Sequence, residues 1–84
     1  MTDGRPVHEI LESGRAQIGL EVEQLWTEYL ALGGNAPLDT LAAYLDGRRL
    51  PSRQDYDYLA QCLNEHFRDR GRDSPLPYAE DVGL

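Results

Sequence analysis

The stretch Ala16-Gln17-Ile18-Gly19-Leu20-Glu21-Val22-Glu23-Gln24-Leu25-Trp26-Thr27-Glu28-Tyr29-Leu30-Ala31-Leu32 decides the fold class. Ile18, Val22, Leu25, Tyr29 and Leu32 recur at steps of three and four, and Trp26 and Leu30 widen the same face. That is the period of a helix and not the alternation of a strand. Upstream, Val7, Leu11 and Gly14 continue the stripe with Ile10 beside it, and Pro6 suits a first helical position. One helix over 7–32 would be ~39 Å long at 1.5 Å per residue. Gly14 and Gly19 argue against it, since each costs ~1 kcal/mol relative to alanine inside a helix. The spacing therefore predicts a firm helix over about 16–32, stopped by Gly33-Gly34, with a short extra N-terminal helix or frayed turns before it.

Outward from that stretch, Leu38, Leu41, Ala42 and Leu45 share one face of a second helix over about 37–46, between Pro37 and Gly47. After the connector Arg48-Arg49-Leu50-Pro51, Ser52 and Asp55 have the spacing of a capping box. They open a third helix over about 53–70 with the stripe Tyr56, Leu59, Ala60, Leu63 and Phe67, and Gly71 ends it. Ser74-Pro75-Leu76-Pro77-Tyr78 cannot continue as helix and is expected to run on as an extended tail. No run of alternating β-branched residues exists. The expected fold is all-α: a small bundle of three main helices in a single domain over 1–84, with 1–5 and 72–84 flexible.

Composition limits what such a domain does. The chain has 84 residues, 27% of them charged, and a formal charge of -7. Fifteen acids face eight bases, and every base is arginine, a bias expected of a GC-rich bacterial genome. The acidic balance repels phosphate backbones and anionic lipid, which makes nucleic acid an unfavoured partner and a basic protein surface a natural one. No apolar run is long enough to span a bilayer, and no signal peptide is visible at Met1-Thr2-Asp3-Gly4-Arg5-Pro6. One cysteine makes no internal disulfide, which points to a reducing, cytoplasmic setting.

Few residues carry candidate chemistry. Cys62 and His66 stand at i, i+4 with Asp69 three further on, but a structural zinc site needs four ligands and no second Cys/His pair exists. A Cys-His nucleophile couple needs a cleft, an oxyanion hole and an orienting group, and no glycine-rich nucleophile turn accompanies Cys62. Asp55 and Asp57 lie two apart and face different ways. The expectation is no enzyme, no metal and no cofactor. Arginines cluster as Arg48, Arg49 and Arg53 and as Arg68, Arg70 and Arg72, where helix ends and neighbouring aspartates account for them.

From Leu30-Ala31 to Leu63 the chain resembles the repressor-type helix-turn-helix of Cro-like regulators. Leu30-Ala31 is similar to the pair that opens the motif's turn, Asn35 falls where the family has glycine, and Leu41 and Tyr44 fall at its buried positions. The run from Thr40 through Gly47-Arg48-Arg49-Leu50-Pro51-Ser52 is similar to the recognition helix and the connector after it, and Leu59-Ala60-Gln61-Cys62-Leu63 to the next helix. The resemblance implies a DNA-binding regulator with Arg48, Arg49 and Arg53 on phosphates. Its base-reading positions are Pro37, Leu38 and Asp39, which offer no hydrogen-bond readout of the major groove except a carboxylate that phosphates repel. The chain also resembles small acidic actinobacterial proteins of no assigned function.

The residues favour a cytoplasmic, non-enzymatic, acidic binding or regulatory module acting through protein–protein contacts. Glu21, Glu23, Trp26, Glu28 and Tyr29 are its expected contact residues, since tryptophan and tyrosine dominate interface energetics. The first stripe carries more apolar surface than two shorter helices cover, so the partner is a basic protein or, weakly, a second copy.

Overall fold

A computed structural model describes residues 5–73 and 76–84. The helix expected over 16–32 is two helices, α1 (Val7–Ile18) and α2 (Val22–Ala31). Gly19 takes a left-handed conformation, φ 78°. Its N–H donates to the carbonyl of Ala16, and the N–H of Leu20 donates to that of Arg15. This is a Schellman stop, with the hydrophobic residue just past the glycine turned inward: Leu20 is buried. Arg15 bonds the Leu20 carbonyl at 2.6 Å and Glu12 at 2.8 Å, locking the corner. An unbroken helix of ~39 Å would overrun a molecule whose longest dimension is 29 Å.

The chain then forms α3 (Leu38–Asp46), α4 (Arg53–Asp69) and α5 (Ala79–Val82). Ser52 caps α4 as its sequence predicts, its Oγ accepting from the Asp55 N–H at 3.1 Å. The central helix is α4, packed against α1, α2 and α5, while α3 closes the bundle on α1 and α2. Its stripe of Tyr56, Leu59, Ala60, Leu63 and Phe67 is buried along its whole length. Facing it are Ile10 and Leu11 of α1, Leu25 and Tyr29 of α2 and Leu41 and Leu45 of α3.

Much of the first stripe is thus covered within the molecule, at Ile10, Leu11, Leu25 and Tyr29. Folding it into two segments lets both wrap α4, and Ile18, Val22 and Trp26 sit half-buried at the edge of the core. Among the described residues only Leu30, Leu50 and Tyr78 are large apolar side chains left exposed.

The extended tail also needs correction. Leu76 and Ala79 are buried, and the chain ends in the short α5 against α4. Leu76 lies over Gly14, where a Cβ would come within 3.1 Å of a Leu76 methyl. A glycine that weakens α1 as a helix is the seat on which the tail rests. The flexibility expected of 1–4 and of 74–75 falls outside the described residues. Among the described residues no helix is long and apolar enough to cross a membrane.

Candidate functional site

The five expected contact residues divide between the inside and the outside of the molecule. Glu21 and Glu23 are exposed at the start of α2. Trp26 is half-buried, and its Nε1 donates to the Ala36 carbonyl at 2.9 Å, pinning the loop that leads to α3. Tyr29 is fully buried, which overturns the expectation that it is exposed. Its hydroxyl donates to Asp55 at 2.8 Å and accepts from the N–H groups of Asn35 and Ala36. A tyrosine at a stripe position packs inward, and its polar end then needs partners that the loop and α4 supply.

Tyr44 of α3 donates to the other oxygen of Asp55 at 2.8 Å. One carboxylate therefore joins α2, α3 and α4. Burial, followed by the hydrogen bond and charge of Asp55, pushes the Tyr44 phenol up to about 12. The Tyr29 phenol moves upward too, chiefly through burial.

The arginines that would contact phosphates cluster at the connector between α3 and α4. Arg48, Arg49 and Arg53 are all exposed. Arg48 reaches back to Asp46 at 2.7 Å, and that hydrogen bond holds the Asp46 carboxyl below its ordinary range. The second cluster ties helix ends: Arg70 bonds the His66 carbonyl at 3.1 Å, and Arg72 stacks 4.9 Å from the Phe67 ring centroid.

Cys62 and His66 do share a side of α4, and α2 supplies what faces them. His66 Nε2 lies 2.8 and 3.0 Å from the two carboxylate oxygens of Glu28. A cleft of about 340 Å³ opens between the helices. Glu28, Ala31 and Leu32 line its α2 side; Cys62, Glu65, His66 and Asp69 line its α4 side. The Cys62 thiol is 2% exposed. Burial first, then the charges of Glu28 and Glu65, push it up to about 12. A nucleophilic cysteine needs the opposite surroundings, with cations that favour the thiolate. The described residues contain no group of three or more His, Cys, Asp or Glu side chains placed to hold a metal ion.

Sequence reasoning missed this cleft. Cys62, Glu65, His66 and Asp69 fall at i, i+3, i+4 and i+7, one continuous stripe of α4 beside its apolar one. That spacing was the available signal. The opposing wall lies 38 positions away at Glu28, beyond the reach of any local pattern. Comparison with known protein families, curated proteins and solved structures finds no match to the chain.

Proposed function

We propose that the protein is a non-enzymatic acidic binding or regulatory module that works through protein–protein contacts, with the outer side of α2 as its contact face and a basic surface as its partner. The observation that carries this reading is the distribution of polar groups on α2. Tyr29 is spent inside on holding helices together and Glu28 turns to His66 of α4, while Glu21 and Glu23 remain outward on a helix that contains no basic residue. The titratable groups with shifted pKa values fit the same reading, because general acid–base catalysis favours pKa values near the working pH. Tyr44 and Cys62 are both pushed up to about 12. Regulatory use and a cytoplasmic setting belong to this reading.

Charge reversal tests it. Glu21→Arg combined with Glu23→Arg alters exposed side chains only. In capture from a lysate of the native host, the wild-type chain is expected to retain a basic partner that the reversed chain loses. Equal retention by the two chains would remove α2 as the contact face.

A DNA-binding reading draws support from one observation. The break at Gly19 shortens α2 to a helix of 10 residues directly before α3, nearer the proportions of a helix-turn-helix. Arg48, Arg49 and Arg53 would then meet phosphates. The net charge and the readout-poor Pro37, Leu38 and Asp39 weigh against it. Titration with duplex DNA at two salt concentrations separates the readings: specific binding with a steep salt slope establishes this one.

A further inference from the structure

The cleft between α2 and α4 combines apolar side chains with acids. Its apolar lining is Ala31, Leu32 and Cys62, and beside them stand the exposed acids Glu65 and Asp69. These two acids lie at i, i+4, so their carboxylates rise from one side of α4. Both are exposed, and neither is in an ion pair among the described residues. Glu28, by contrast, is engaged by His66 at 2.8 Å. Cys62 contributes an independent feature: it is a free cysteine and only 2% exposed. After burial, the charges of Glu28 and Glu65 both raise the thiol's pKa.

An anion is repelled from such a site, and the described residues offer no set of metal ligands. A volume of about 340 Å³ is at the small end for a ligand pocket. It suits one long side chain better than a cofactor. The chemistry that matches is a cationic head on an apolar stem, which buries its methylenes while keeping its charge among acids and water. Arginine fits better than lysine, because its planar fork engages carboxylates on two edges.

We propose that this cleft receives an arginine side chain from a basic segment of the partner protein, its stem over Ala31, Leu32 and Cys62 and its guanidinium between Glu65 and Asp69. The inference rests on the reading of α2 as a contact face for a basic protein, and it adds the side-chain class recognised and the place where it docks.

A tetra-arginine peptide is the probe, titrated into the ¹⁵N-labelled full chain and followed by amide chemical shifts. Shifts are expected to centre on Ala31, Leu32 and Cys62, with a tetra-lysine peptide binding more weakly. Glu65→Gln with Asp69→Asn should weaken binding at least about tenfold, as loss of charge-assisted partners would. Glu80→Gln with Asp81→Asn, which removes the same charge from exposed acids of α5, should change it far less. Ala31→Trp fills the cleft without altering charge and should abolish binding, which long-range attraction alone would survive. Thermal melts confirm that each variant is folded. Shifts centred on Glu21 and Glu23, or binding unaffected by Ala31→Trp, would overturn the cleft and leave the protein-binding reading standing. Absence of peptide binding would also overturn the cleft, and the wider reading would then rest on the charge-reversal capture alone.

Discussion

Asp55 and Asn64 both lie on α4, and each ties a distant part of the chain to it by different means. Asp55 meets other side chains, accepting from the hydroxyls of Tyr29 and Tyr44 at 2.8 Å each. Asn64, fully buried, meets backbone: its Nδ2 donates to the Leu76 carbonyl and its Oδ1 accepts from the Leu76 N–H, both at 3.0 Å. Tyr56 and Asp57 extend that grip, bonding the Pro77 carbonyl at 2.8 Å and the Ala79 N–H at 2.7 Å. The difference follows from what is being held. α2 and α3 satisfy their own backbone groups, so their side chains are free to bond to one another. The segment before α5 has no ladder of its own, and its buried N–H and C=O groups must find side-chain partners.

The comparison breaks most visibly at Asp55. Asp55→Ala leaves two phenols without their acceptor and should cost about 2–4 kcal/mol, counted as one unmet buried group for each. Urea unfolding measures it, and a loss below ~1 kcal/mol would mean that the carboxylate does not join the three helices. Asn64→Ala strands one donor and one acceptor at Leu76 and, on the same count of two unmet groups, should also cost about 2–4 kcal/mol. Hydrogen exchange sharpens the contrast between the two variants. With Asn64→Ala, the amides of Leu76 and Ala79 should open while those around Tyr29 stay protected. With Asp55→Ala the order should reverse.

The smallest effect separates the two regions by pH. The Tyr44 phenol is held at about 12 in the folded chain, against ~10 when unfolded. A group whose folded pKa is raised contributes its full stability below the unfolded value and loses it as the pH climbs to the folded one. Stability should therefore fall between about pH 10 and 12. The Cys62 thiol adds to the fall in the same direction. Tyr44→Phe should flatten this alkaline limb without removing it, while Asn64→Ala should leave its slope unchanged. Melting temperatures across that range decide the point.

Much of the fold was legible from local signals. Ser52 and Asp55 announce the start of α4, Gly71 its end, and Pro37 and Gly47 bracket α3. Gly19 reads locally as a cost within a helix, yet its αL conformation followed by a buried Leu20 makes it a stop. The candidate site was legible by half: the stripe of Cys62, Glu65, His66 and Asp69 is local to α4, whereas the wall opposite comes from α2. Tyr29 packs inward because its position on the apolar stripe outweighs the preference of tyrosine for interfaces.

By itself the sequence determined the helical class, the limits of α3 and α4, the stripes that form the core and the acidic sign of the surface. Each of these depends on residues within a turn or two of one another, or on simple addition. Tertiary structure decided that Gly14 is a seat for Leu76, that Asp55 is shared by two tyrosines and that Glu28 closes a cleft with α4. It also decided that the tail is held down by Asn64. These contacts join positions far apart in the chain, and periodicity says which way a side chain points without saying what will be there to meet it.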